Sequence, residues 1–415
     1  MSSDTRPTGD LPEGAALARN IAARRRTARI WQYLFLTSLV FGIVALVTLV
    51  GDIANETAGI TVTQNSIDPA ALSDRPLETL SAAELTAIFK SKVSAGLYRR
   101  YDREQAFAQR SAENVLALVN ERVVKPQTIN SYPLWESLTR RAEIEAETKA
   151  KYPNATLTWR TWINGDFLRN AMSSLPTASG IGNAVIGSLL VTLLAMLIAV
   201  PIGVGGAIYL EEYAEKNRLN ALIETNINNL AGVPSIIYGM LGLTVFVRVL
   251  GNITSGAAFG IGSDNGRTII SAALTMALLV LPLIIINARE AIRAVPSSLR
   301  QASYGLGATR WQTVWNHVLP NALPGILTGT ILGLSRALGE TAPMILIGAS
   351  TYIVTFPDSI FSKFTTLPIQ IYNWTQQPDP QFRNIAAAGI IVLLLVLLTL
   401  NATAIVLRNR FRRSY

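Results

Sequence analysis

The 415-residue sequence has no cysteine and one histidine, His317. Disulfides, thiolate metal sites and thiol nucleophiles are therefore excluded, and a histidine-rich metal cluster with them. Charge is scarce as well: 15% of the residues are charged and 50% are hydrophobic, against roughly 25% charged in ordinary soluble domains. A membrane protein is the expected class. No G-x-x-x-x-G-K-[ST] run is present, so the usual P-loop cradle for nucleotide is missing. The chain is not expected to be an enzyme or to hold a cofactor or metal. The net charge of +9 does not read as nucleic-acid binding, because the cations bunch beside apolar runs instead of interleaving with aromatics.

Intervals free of charge locate the crossings, since a helix needs about 20 apolar residues to span the hydrocarbon and carries ions there at high cost. Residues 30–51, between Arg29 and Asp52, give a first span. Further spans are expected at 183–209, 225–249, 268–288, 321–347 and 384–407, all helical because the backbone must satisfy itself in lipid. The first run follows Arg24, Arg25, Arg26 and Arg29, which also suits a signal peptide. Its length and the lack of a small-residue cleavage site favour an anchor. Those arginines place the N-terminus in the cytoplasm. Six crossings return the C-terminus to that side, where Arg408, Arg410, Arg412 and Arg413 follow the last span. The expected fold is thus an all-α integral membrane protein of six transmembrane helices with a largely helical extracytoplasmic insertion at 52–182. Within that insertion, helical stretches are expected near 81–122 and 134–150, with Pro126 and Pro133 as breaks. Packing against the pore and docking of a solute-binding partner are both open as its role.

The inside loop 289–320 carries Arg289, Arg293, Arg300 and Arg310 against one acid, Glu290. After Pro296, the residues Leu299, Ala302, Ser303 and Leu306 recur at the spacing of one helix face. Gly305 and Gly307 can end that helix in the left-handed region. Thr309 can cap a second helix with Trp311, Val314, Trp315 and Val318 on one face, which Pro320 is expected to stop. Such a pair suits insertion into a partner's groove, and equally an amphipathic pair lying on the membrane surface.

In the fifth span, between Val318 and Pro357, the only charges are Arg336 and Glu340. At i and i+4 on one helix they share a face and can pair. Either they fix helix packing or they line a watery path, but neither is expected to face lipid. Gly329, Gly333 and Ala337 form a small-residue stripe where another helix can approach. Arg248, near the end of the third span, is a weaker candidate for attracting anions or an interfacial anchor.

Two families of motif carry a resemblance. Gln301-Ala302-Ser303, Gly307-Ala308 and Val318-Leu319-Pro320 resemble the EAA loop of bacterial ABC importer permeases with the MetI-like fold, although Gln301 stands where the family usually has glutamate. Arg336-Ala337-Leu338-Gly339-Glu340-Thr341-Ala342-Pro343 looks like the RAxGETAP signature of PstA-type phosphate permeases, and Ile202–Tyr213 and Ala231–Gly239 resemble further stretches of that family. The likeness covers about residues 180–410. The charge pattern gives a cytoplasmic tail at 1–29, the first helix at 30–51 and a tail at 408–415, and the likeness implies a MetI-like core of five helices at 183–407. It further implies a subunit of an ATP-driven phosphate importer in the bacterial inner membrane, surrounded by lipid. Gln301, Ala302, Ser303, Gly307, Ala308, Leu319 and Pro320 would couple to ABC ATPase subunits. Arg336, Glu340, Thr341 and Arg248 would line the substrate pathway, with Glu340 holding the Arg336 guanidinium. A second, homologous permease and a periplasmic phosphate-binding protein would complete the assembly. A permease for sulfate or molybdate, and a membrane sensor without transport, are the alternatives.

Overall fold

The computed structural model describes residues 14–73, 75–104, 106–215, 217–261, 265–349, 352–353 and 355–411. The first part of the expected N-terminal tail and Arg412 and Arg413 lie outside them. In chain order the helices are α1 (Gly14–Asn55), α2 (Ala82–Lys92), α3 (Ala95–Glu104), α4 (Ala112–Val119), α5 (Leu134–Thr139), α6 (Arg141–Lys151), α7 (Gly165–Arg169), α8 (Gly182–Ile208) and α9 (Arg218–Ala231). There follow α10 (Ser235–Gly242), α11 (Gly251–Thr254), α12 (Ile269–Arg293), α13 (Ser297–Gly305), α14 (Arg310–Thr313), α15 (Leu319–Gly339), α16 (Ala342–Ile347), α17 (Leu367–Thr375) and α18 (Pro380–Phe411). Three strands, β1 (Ala58–Asn65), β2 (Pro126–Pro133) and β3 (Ala155–Thr161), fall in the insertion.

Helix α1 is 42 residues long, about 63 Å at 1.5 Å per residue and so roughly twice the hydrocarbon thickness. The expected span at 30–51 is its second half, and the arginine cluster occupies the turns before it. Its large apolar side chains from Ile30 to Val50 are all exposed. The helix forms a unit of its own, separate from the unit that begins at Asn55.

Among the described residues, five helices are long and apolar enough to cross a membrane, and a bent pair makes a sixth crossing if its two arms count as one span. That pair corrects the straight third span expected at 225–249. α9 and the α10 arm meet at 103°, because Gly232 ends α9 and Pro234, with φ −55° and ψ 136°, starts α10 in an extended turn. Proline cannot continue the helix N-terminal to it, and it disfavours helical backbone at the residue before it.

The membrane core is built around α12, which packs against α8 and α15. Val191, Ala195, Ala199, Met276, Val280 and Ile284 are buried between them. Small residues set the spacing, as the Gly329–Gly333–Ala337 stripe suggests: a methyl group on Gly329 would meet Asn287, and one on Gly325 would meet Ala291. α17 is too short to cross and lies against α8 and α18. Its Leu367 N–H donates to Ser188 at 2.8 Å, and Trp374 is fully buried beside Phe167.

The insertion is helical where expected but also holds a sheet that the sequence reading missed. β1 is central in the order β2-β1-β3, with both pairings antiparallel. The missed signal was short-range alternation, Ile60-Thr61-Val62-Thr63 against Thr156-Leu157-Thr158-Trp159. It seats Thr61 on Thr158 at 2.8 Å and Thr63 on Thr156 at 3.0 Å across the strands. α2 and α4 close a second small core over Leu85, Phe89, Val115 and Val119.

Candidate substrate passage and coupling surface

The fifth span is not the continuous helix expected at 321–347. α15 stops at Gly339; Glu340 is extended, with φ −81° and ψ 118°, and α16 restarts at Ala342 with Pro343 in its first turn. Arg336 therefore sits in the last turn of a helix, where the dipole favours a cation. Glu340 sits in the break. The expected one-face pairing is overturned, since Glu340 has left the helix on which the i, i+4 geometry depends. Among the described residues no ion pair or hydrogen bond joins them to each other or to a third group. Both are half-buried, as is Thr341.

The two broken spans meet. Gly239 of α10 lies so close to α16 that an added Cβ would stand 2.7 Å from the Pro343 Cα. Tyr238, beside it, is 5% exposed and donates across the α9–α10 bend to the Leu230 carbonyl at 2.8 Å. Its phenol also lies within electrostatic reach of Arg336. Glu340 lines a small cavity with the hydroxyl residues Ser188, Thr192 and Thr366. Non-helical backbone at membrane depth is tolerated only where protein or a water-filled space satisfies it. Two such breaks are packed together beside the span's two charges and a row of hydroxyls; the crevice between them is closed in this structure, with no space for a water molecule. The missed signals are Gly339 with Pro343 and Gly232 with Pro234, each a helix stop followed by a helix start. Arg248 is not part of this constellation. It lies exposed in the π-helical turn Leu243–Val249, at the far end of the α10 arm.

The 289–320 loop does form a compact helical pair, with two corrections. α13 reverses at Gly307, whose φ is +82°, and Thr309 caps α14 in a reciprocal box with Gln312. Pro320, however, does not stop the second helix. The π turn Val314–Val318 shifts the hydrogen-bond register ahead of the proline, and Asn321 donates to the His317 carbonyl at 2.7 Å. The rod then runs from Arg310 to Gly339. The second correction concerns the helix faces. Ser303 and Thr313 turn inward and bond each other at 2.9 Å, and Val314 and Val318 are buried with Ala322. Gln301, Ala302 and Gly307 are exposed, while Ala308, Leu319 and Pro320 are half-buried. The open surface consists of Leu306, 90% exposed, and Trp311 stacked on Trp315 at 5.4 Å.

The arginines of this loop do more than bias topology. Arg289 bonds Glu211 at 2.9 Å and Glu224 at 2.6 Å, and Arg293 bonds Glu211 at 2.7 Å. Arg300 bonds Glu212 at 2.7 Å and donates to the Val295 and Ile292 carbonyls at 2.6 and 2.9 Å, capping the end of α12. Arg289, Glu211 and Glu212 are nearly buried. This lattice fixes α13 to the ends of α8 and α12. Sequence reasoning missed it because the acids lie 65 to 88 positions away, in the turn after α8 and on α9.

Residues 199–414 match the family model for the binding-protein-dependent transport system inner membrane component. A probable ABC transporter permease protein, YqgI, of Bacillus subtilis is 34% identical over 58% of this chain and 82% of its own length. The phosphate transport system permease protein PstC of Pasteurella multocida is 35% identical over 54% of this chain and 73% of its own. PstA 1 of Mycobacterium tuberculosis is 30% identical over 61% and 82%. Among solved structures, an inward-facing form of the MetNI methionine ABC transporter aligns with a TM-score of 0.44 at 17% identity, covering 55% of this chain and 95% of that one. The family match spans half of the chain, and this multi-pass membrane protein belongs to the binding-protein-dependent transport system inner membrane components, the MetI-like permeases of ABC importers.

Proposed function

We propose that the chain is the permease subunit through which inorganic phosphate crosses the bacterial inner membrane, without ATPase activity of its own. The observation that carries this reading is Arg336, a guanidinium inside a membrane span with no acid among the described residues bonded to it, at the junction of two broken helices. A phosphate with one to two negative charges matches the planar donor fork of arginine. Glu340 lies close in sequence but does not neutralise that fork, so its charge weakens anion binding enough for release. Phosphate permeases among the relatives support the choice of anion. Sulfate and molybdate remain the competitors, and ATP-dependent uptake of labelled phosphate into vesicles, challenged with excess sulfate, decides between them. Uptake that excess sulfate abolishes overturns the phosphate assignment.

The assembly that fits this chain has a second permease, ABC ATPase subunits on the cytoplasmic side and a soluble phosphate-binding protein outside, with both termini cytoplasmic. The open Leu306, Trp311 and Trp315 surface is the ATPase contact, held in place by the Glu211–Glu212 lattice. A methyl group added at Gly307 would meet no neighbour within 4 Å, yet the φ of +82° there excludes β-branched residues. Gly307→Val is therefore expected to distort the turn and reduce co-purification of the ATPase several-fold, with the chain still inserted. Unchanged assembly and unchanged ATPase stimulation would count against the contact.

A further inference from the structure

We propose that the inserted domain rests on the lipid surface through an apolar lip formed by Trp135 and Leu138. The lip is made by the way α5 is tied down. Ser137 is fully buried; its hydroxyl accepts the Ile60 N–H at 2.9 Å and donates to the Tyr132 carbonyl at 3.0 Å. Strand β1 comes close enough at Gly59 that a side chain there would strike the Tyr132 carbonyl. With that face pinned to the sheet, Trp135 and Leu138, three positions apart, are thrust outward and are 71% and 61% exposed.

Their depth follows from a short chain of hydrogen bonds. The Trp135 backbone N–H donates to Asn55 Oδ1 at 2.7 Å. The next residue, Glu56, accepts at its carbonyl from Asn384 Nδ2 at 2.8 Å, and Ser131 donates to Asn384 Oδ1 at 2.8 Å. Asn384 lies in the second turn of α18, directly before the uncharged run 385–407 that crosses the membrane. Trp135 is thus held at the mouth of a span. The polar zone between hydrocarbon and water is about 5–7 Å deep on each side, which is the level at which Trp is enriched, its ring among acyl chains and its N–H among headgroups.

The cations beside the lip are already engaged. Arg140 pairs with Glu136 and Glu143, and Arg141 pairs with Glu145. The lip therefore holds to the bilayer by apolar burial and does not depend on anionic lipid.

Because the sequence has no cysteine, single thiols report depth directly. Trp135→Cys, Leu138→Cys and the control Ala146→Cys, on exposed α6, carry a nitroxide in the full complex reconstituted into neutral phosphatidylcholine nanodiscs. Collision with oxygen, which concentrates in lipid, is compared with collision with a water-soluble nickel chelate. The oxygen-to-nickel ratio is expected to be several-fold higher at 135 and 138 than at 146. A ratio equal to that at 146 places the lip in water, and shielding from both reagents places a protein over it; either result overturns the proposal. As an independent measure, brominated phosphatidylcholine is expected to quench the unlabelled wild-type complex more than Trp135→Phe. Equal quenching of the two also overturns it.

Discussion

Replacing Arg336 with alanine is expected to lower ATP-driven phosphate uptake about a hundredfold while the complex stays assembled. A charge at mid-membrane is worth on the order of 2.5–3.5 kcal/mol by insertion measurements, and about 1.4 kcal/mol corresponds to a factor of ten in rate. The guanidinium offsets that cost for the passing anion, and alanine removes the offset. No ion pair is broken, because none of the described residues is bonded to Arg336, so folding should hold. Arg336→Lys should give an intermediate loss, since an ammonium keeps the charge and gives up the bidentate fork. Vesicle uptake, with subunit content checked by size-exclusion chromatography, measures both variants. Normal uptake by an assembled Arg336→Ala complex would remove Arg336 from the passage.

The second large effect is structural. Glu212→Gln leaves the Arg300 guanidinium without its carboxylate in a site where Glu212 is 7% and Arg300 19% exposed. Breaking a buried pair by deleting one partner costs roughly 3–5 kcal/mol. The lower end is expected here, because Arg300 still holds the Val295 and Ile292 carbonyls. The melting temperature of the detergent-solubilised complex should fall clearly, and ATPase stimulation should fall with it, since α13 loses its tie to α8. Adding Arg300→Met should recover much of the thermal loss, because an apolar pair of similar volume leaves no stranded charge. A melting temperature unchanged by Glu212→Gln would mean that the lattice does not hold the coupling helix.

How far each feature could be read depends on the range of its cause. The helix pair at 297–318 was legible because its signals are local: a capping threonine at 309, a glycine at 307 and apolar spacing between them. Its faces were misjudged, because Ser303 and Thr313 satisfy each other inside the turn and free Trp311 and Trp315 to point outward. Pro320 misled for a related reason, since the π turn before it absorbs the missing N–H. The sheet was missed because its three strands lie far apart in sequence, and the strand β2 between the other two in the chain is polar and bounded by Pro126 and Pro133, which read as breaks.

By itself, the sequence determined the membrane class, the span regions and the two charges placed within one of them, because hydrocarbon penalises every ion and every unpaired peptide wherever it falls. Only the tertiary structure decided that two of those spans are broken, that Arg336 and Glu340 part company at Gly339, and that Arg289 and Arg300 answer to acids on another helix. Those outcomes depend on which backbones can approach one another, as at Gly239 against Pro343, and such contacts are set by packing between segments that carry no mark of each other in the chain.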